Sequence, residues 1–317
     1  MLRIALLCLL LQRSCPAHAP LQPACPPGQR ILVPASRRTS GPPPAQPPED
    51  LRWAYTRCGA IPVADYYVDD SRGGRGTRYS HSRKDIAQRV AGAAAELAHA
   101  RPLVAAGGQA SRAHLLRALQ LPLLQGLLRA GNASVVVFGS TAPTVEALLL
   151  AAGAARVLTV EYNELVYDHA GLLTARPSEV AEAWGAGNHS RIPGPRTFDL
   201  ALSISSFDHD GLGRYGDPLA PDGDLLAMDG MARYLKPGAL ALVTVPVGPD
   251  RLWWNLMRTY GRVRLPLLLE GWEVLERVGW RGGAELEDAP AGNGGGPGKS
   301  HEPVFVLQRS RDSQGEL

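Results

Sequence analysis

Ser134-Val135-Val136-Val137-Phe138 runs directly into Gly139-Ser140-Thr141-Ala142-Pro143, and the reading of this passage decides the architecture. A short β-branched run of this kind is a buried strand by composition. The Gly-to-Pro turn leads into a helix expected over Thr144–Ala152, with Gly153 placed to end it. Arg156–Val160 is a second strand and closes on Glu161. Strand, loop, helix and strand in this order make a right-handed crossover between parallel strands.

The same alternation continues downstream. A third short strand is expected over 171–174, then a helix capped by Ser178 and running through Trp184. A fourth strand follows at 198–203, a helix at 225–235, and a fifth strand at 239–245 after the turn Lys236-Pro237-Gly238. Residues 272–278 and 303–308 are expected to pair as an antiparallel hairpin across the Gly-rich stretch 292–298. Upstream, 86–100 and 111–130 read as helices, the second carrying a leucine face and a kink at Pro122. The sum is a doubly wound α/β sheet over 131–310, preceded by an extension at 51–130.

The N-terminal residues concern destination. Arg3, the apolar run 4–11 and Ala17-His18-Ala19 have the three parts of a secretory signal peptide over 1–19. The run is far shorter than the roughly 20 residues that cross a bilayer, so no stable membrane span is expected and the mature chain belongs in the secretory lumen or outside the cell. Residues 20–50 are rich in proline and read as a linker. In that compartment Cys25 and Cys58 are expected to form one disulfide, with two free thiols as the alternative. Two sequons, at Asn132 and Asn188, fit the same location. Asn188 is the expected glycan site and Asn132 is expected to be too enclosed. The Arg/Gly/Ser stretch 71–78 reads as a solvated loop.

The chain has 317 residues, 45% of them hydrophobic and 20% charged, which excludes collagen, coiled coil and wholesale disorder. A net charge of +3 is too small for a dedicated nucleic-acid surface. Asn293-Gly294-Gly295-Gly296-Pro297-Gly298-Lys299-Ser300 falls short of a P-loop, because Asn293 replaces its first glycine and no helix follows. Zinc and nucleophile-elbow motifs are also missing from the sequence.

In an open α/β sheet, ligands sit at the carboxyl ends of the strands. Gly139 would let a ligand approach the backbone there, with Ser140 and Thr141 beside it. Glu161 comes 22 residues after Gly139, where an acidic residue holds ribose hydroxyls; a solvated strand end is the competing reading. The most polar loop, 205–217, follows the fourth strand and contains Asp208, His209 and Asp210. His209 is the candidate base, its tautomer set by Asp208 or Asp210. An Asp/Gly loop that only caps the next helix competes with this. A cation on Asp208, Asp210 and Asp217 is a further alternative.

Val137 to Pro143, Thr159-Val160-Glu161-Tyr162-Asn163, the 203–218 segment and Val245-Pro246-Val247-Gly248 together resemble an uncharacterised family known as domain of unknown function 268. That family is similar in fold to class I S-adenosylmethionine-dependent methyltransferases, and the resemblance implies a mostly parallel seven-stranded sheet. Against the methyltransferases proper, Val137 replaces the usual acidic residue, and Thr141 and Pro143 stand at later glycine positions. The leading expectation is an enzyme that moves a methyl group from S-adenosylmethionine to a hydroxyl on a glycan or small metabolite. The alternatives are a catalytically silent domain that binds carbohydrate or protein, and a nucleotide-sugar-dependent transferase with a cation on Asp208 and Asp210.

Overall fold

Val135, Val136 and Val137 are all buried, but their neighbours differ by face. Val136 lies in one apolar cluster with Leu158, Ala201 and Ala241, while Val135 and Val137 lie in another with Leu148, Leu149 and Leu200. A strand covered on both sides this way reads as a continuous apolar run, the mark of a parallel sheet with helices on each face.

The computed structural model describes residues 41–73, 76–99, 108–286 and 301–309. In chain order the extension holds α1 (Glu49–Tyr55), β1 (Val63–Asp65), β2 (Arg78–His81), α2 (Arg83–Ala98), α3 (Gly108–Leu119) and α4 (Pro122–Arg129). There follow β3 (Ser134–Phe138), α5 (Thr144–Ala152), β4 (Arg156–Val160), β5 (Glu164–Tyr167), β6 (Leu172–Ala175), α6 (Pro177–Gly185) and β7 (Phe198–Ile204). A 3₁₀ turn, Phe207–His209, precedes α7 (Gly223–Ala232), β8 (Leu235–Thr244), β9 (Arg251–Trp254), β10 (Met257–Thr259), α8 (Arg264–Leu268) and β11 (Trp272–Val278), and a second, Gly283–Leu286, comes before β12 (Val304–Arg309).

Seven strands form the main sheet in the order β6-β4-β3-β7-β8-β12-β11. Those from β6 to β8 are parallel, and β12 runs antiparallel to both its neighbours. The chain builds outward from β3 in one direction through β4 and β6, then returns to lay β7 and β8 on its other side. That reversal opens a crevice at the carboxyl ends of β3, β4 and β7.

The first crossover forms as its sequence predicts: Gly153 ends α5 at φ +112°, and its amide is bonded to the carbonyls of Leu149 and Leu150. Three local expectations need correction. Pro122 does not kink one long helix but starts α4 as its first residue, because its missing N–H costs nothing there. Pro177 likewise starts α6, so the cap is Arg176, whose amide donates to Glu179 Oε2, and not Ser178. The Lys236-Pro237-Gly238 turn lies inside β8, where the register against β7 shifts. The Gly-rich stretch 292–298 and the signal-peptide residues lie outside the described residues. Among the described residues no helix is long and apolar enough to cross a membrane.

The extension is part of the same body. Pro43 and Pro47 are buried, and the Pro43 and Pro44 carbonyls accept hydrogen bonds from Tyr67 (3.0 Å) and from the Trp254 indole (3.0 Å). The final ten residues of the expected 20–50 linker are therefore packed in place. Tyr55 stacks edge-on against Trp254 and donates to the Gly211 carbonyl at 2.6 Å. Cys58 is disulfide-bonded; Cys25 lies outside the described residues. β1 joins β9 and β10 in a small second sheet, and β2 pairs in parallel with β5.

Beneath the polar loop sits a buried ionic cluster. Arg264 Nε donates to Asp224 Oδ2 (2.8 Å), which also accepts from Tyr260 (2.8 Å). Arg57 pairs with Asp222 at 2.6 Å. Arg258 Nη1 donates to the Asp210 carbonyl (2.7 Å) and Arg264 Nη2 to that of Pro221 (2.7 Å). Burial alone would push the Asp224 carboxyl up, but the Arg258 and Arg264 guanidiniums override it and hold the group below the usual carboxylate range. Removing one partner from such a cluster leaves buried charge uncompensated, which costs about 3–5 kcal/mol. Asp224→Ala is expected to lose stability on that scale in urea unfolding, and a loss within about 1 kcal/mol would show that the cluster does not hold the fold.

Candidate functional site

Each side chain at the carboxyl edge is set by the strand it follows. After β3 the chain turns at Gly139, φ +71°, and its amide donates to the Val160 carbonyl at 3.0 Å. A Cβ at Gly139 would fall 1.7 Å from Ser206 Oγ, so only glycine fits. Ser140 turns away from the crevice and spends its hydroxyl on the Ala142 carbonyl (2.9 Å) and Glu146 Oε2 (3.2 Å). Glu146, fully buried in the first turn of α5, also accepts from Thr159 at 2.8 Å, and burial raises its carboxyl above the ordinary range.

β4 delivers Glu161 to the crevice. It is buried, and its Oε1 accepts from both the amide (3.0 Å) and the side chain (2.7 Å) of Asn163. Burial pushes this carboxyl up against the pull of those hydrogen bonds.

β7 is followed by Ser205, whose backbone is left-handed at φ +48° and whose amide bonds to the carbonyl and hydroxyl of Thr244. The 3₁₀ turn then places Asp208 and His209 on different levels. Asp208 is fully buried, and neither of its carboxylate oxygens has a hydrogen-bond donor among the described residues. Its Oδ2 lies 3.5 Å from His209 Nε2. His209 Nδ1 faces the Leu256 carbonyl at 2.5 Å. A carbonyl only accepts, so Nδ1 carries the proton, and the tautomer is set by Leu256 rather than by Asp208 or Asp210.

A cavity of about 690 Å³ collects these groups, within the range that holds a small ligand. Gly139, Thr141, Glu161, His209 and Asp210 line it, with Phe138, Val160, Met231 and Tyr234 supplying apolar wall. Of the expected site residues, Ser140 is absent from this lining and Asp208 lies beneath it, touching the cavity only through His209.

Asp217 is a loop cap. Its Oδ2 accepts from the amides of Gly211 (2.8 Å) and Gly213 (3.1 Å), and Oδ1 from that of Tyr215 (3.2 Å). With Asp217 so occupied and Asp208 buried below, the three aspartates do not converge on a cation. Among the described residues no group of three His, Cys, Asp or Glu is placed to hold a metal.

The Arg/Gly/Ser stretch is a solvated loop only in part: among its described residues Arg72, Gly73 and Arg78 are exposed, but it also touches the cavity. Ser71 is fully buried, and Asp69, Asp70, Arg72, Thr77 and Tyr79 line the cavity. Asp70 accepts from Arg214 Nε at 2.7 Å, and the Arg214 guanidinium lies 4.7 Å from the centre of the Tyr215 ring. No local signal marks this wall, since its partners are far away in sequence. Both sequon asparagines are exposed, so Asn132 is not enclosed as expected; Asn188 Oδ1 accepts from Ser190 Oγ at 2.7 Å.

Strand order, the antiparallel penultimate strand and a ligand-sized crevice at the switch point define a class I methyltransferase-like α/β domain. Residues 132–285 match the family described as Caenorhabditis protein of unknown function, DUF268. No curated protein matches the chain in sequence. One similar solved structure is the 1,6-didemethyltoxoflavin-N1-methyltransferase of Burkholderia thailandensis with bound S-adenosylhomocysteine. It is 18% identical, with a TM-score of 0.34, over 59% of this chain and 76% of that one. Another is an S-adenosylmethionine-dependent methyltransferase of Mesorhizobium loti, 13% identical with a TM-score of 0.39, over 63% of this chain and 98% of that one. These likenesses concern the fold.

The Asp210 carboxyl accepts no hydrogen bond from the described residues and is partly exposed, to the cavity. Burial raises it well above the usual range, and the Asp217 carboxylate adds to that against the Arg258 guanidinium. A carboxyl that binds its proton more tightly when folded contributes stability below the unfolded value, about pH 4. That contribution is lost as pH rises through the folded value. Asp210→Asn is therefore expected to flatten the fall of melting temperature on the alkaline side of about pH 4 and to melt above wild type near pH 8. Parallel melting curves for the two proteins across that range would refute this.

Proposed function

We propose that this protein is an S-adenosylmethionine-dependent methyltransferase of the secretory lumen, acting on a hydroxyl of a glycan or small metabolite. The observation that carries the reading is a cavity at the carboxyl ends of β3 and β4, a ligand-sized space that both Glu161 and His209 line. The residues present fit the cofactor's nucleoside half: Glu161 would hold the ribose hydroxyls, and Phe138, Val160, Met231 and Tyr234 would flank it.

When bound, the cofactor supplies a methyl group on a sulfonium, which departs as a neutral thioether. The chain's own contribution is to orient the acceptor and take up its proton. His209 is oriented for this by the Leu256 carbonyl, which leaves Nε2 as the basic nitrogen. The proton lost by the hydroxyl as the new carbon–oxygen bond forms would pass to that nitrogen.

A catalytically silent binding domain is the second reading. It is favoured by Ser206, whose hydroxyl occupies the space over Gly139 that a ligand would approach. The nucleotide-sugar reading loses support because the aspartates do not form a cation site.

Calorimetry with S-adenosylhomocysteine separates these. Wild type is expected to bind, and Glu161→Ala to bind about 10- to 100-fold more weakly, since each hydrogen bond to a charged acceptor is worth roughly 1.5–3 kcal/mol. His209→Ala is expected to keep that affinity and to lose about 10²- to 10⁴-fold in methyl transfer. Wild-type protein that ignores S-adenosylhomocysteine but binds carbohydrate would replace this reading with the second.

A further inference from the structure

Asn163 joins two parts of the chain that meet at the cavity. Its Nδ2 and backbone amide both donate to Glu161 Oε1. Its Oδ1 accepts from the backbone amide of Thr77 at 2.8 Å. The side chain is buried at the edge of the cavity, which it helps to line. Gly76 turns at φ +68° beside it, and a Cβ there would come within 3.3 Å of Asn163 Oδ1. Thr77 in turn accepts from the Glu164 amide at 3.1 Å, which starts the parallel pairing of β2 with β5.

A primary amide has a fixed polarity, with donor and acceptor on opposite sides of one carbon. If Nδ2 faces Glu161, Oδ1 must face Thr77. The orientation of the Glu161 carboxylate and the seating of Thr77, a cavity-lining residue from the N-terminal extension, are thus fixed by one planar group.

We propose that Asn163 is a positioning residue that couples ligand binding at Glu161 to the attachment of the N-terminal extension at Thr77. This deepens the cofactor reading and rests on it. A ligand that holds the free side of the Glu161 carboxylate stiffens the carboxylate, hence the amide, hence the Thr77 hydrogen bond. The coupling is reciprocal, so loosening Thr77 weakens the ligand.

The test combines S-adenosylhomocysteine calorimetry with hydrogen exchange at the Thr77 amide. In wild type, saturating S-adenosylhomocysteine is expected to slow Thr77 exchange. Asn163→Ala is expected to bind about tenfold more weakly and to show no such slowing. The Glu161→Ala, Asn163→Ala double variant is expected to bind no more weakly than Glu161→Ala alone, the non-additivity of two residues acting through one contact. Asn163→Asp keeps the acceptor for Thr77 but sets a second carboxylate against Glu161. The unpaired buried carboxylate is expected to lower the melting temperature, but well below that temperature, where the variant is folded, it is expected still to bind more weakly than wild type, which removes misfolding as the explanation. Wild-type binding with unchanged affinity in Asn163→Ala, or additive losses in the double variant, would overturn the coupling alone. Absence of wild-type binding would overturn the cofactor reading and the coupling together.

Discussion

The buried contact of Arg258 and Arg264 with Asp224 is what the rest of the site depends on. The stretch from Asp208 to Asp222 is almost free of regular structure, yet much of it is buried. Buried carbonyls there need donors that no helix or sheet ladder supplies. The two guanidiniums provide them, reaching the backbone of Asp208, Asp210 and Pro221. Asp224 lies between them from within the first turn of α7, where a carboxylate also faces the helix dipole favourably, and Asp222 reaches Arg264 at 3.5 Å. Buried charge is costly unless fully paired, so this arrangement tolerates little change in the loop above it.

That loop is consequently rigid enough to aim side chains. Gly211 and Gly223 are pressed together: a Cβ on Gly211 would lie 2.1 Å from the Ala220 carbonyl oxygen, and one on Gly223 would lie 2.6 Å from that of Asp210. Asp217 gathers three amides inside the turn. His209 and Asp210 emerge from this block at the crevice, one oriented by the Leu256 carbonyl and the other carrying a carboxyl raised by burial. The extension adds Tyr55 below and Asp70 above, so the site is finished by residues from before the α/β domain begins.

The family match runs from 132 to 285, taking in the α/β domain as far as β11 and leaving β12 and the whole extension outside it. The cavity is nonetheless built from both. Its floor comes from strand ends common to the fold, whereas Asp69, Asp70, Arg72, Thr77 and Tyr79 close it from the extension. One wall of the cavity is therefore set by residues that fold class alone does not describe.

By itself the sequence determined the elements whose signals are local. β3, α5, Gly153 and β4 are legible because β-branched runs, a Gly-to-Pro turn and a left-handed cap act over a few residues. The antiparallel pairing of β11 with β12 is legible for the same reason. The place of Glu161 and the 205–217 loop at the crevice was legible because a parallel sheet delivers its strand ends to one edge. Only the tertiary structure decided the rest. β1, β2, β5, β9 and β10 are too short to show a period and exist through their partners. Arg57 finds Asp222 across 165 residues, and Asp70 and Thr77 reach the cavity wall through contacts with Arg214 and Asn163. Ser140 and Asp208 look like site residues in sequence, but the direction a side chain takes from a turn is set by what packs around it. Hydrogen-bond partners and burial are properties of the assembled chain, and no local pattern encodes them.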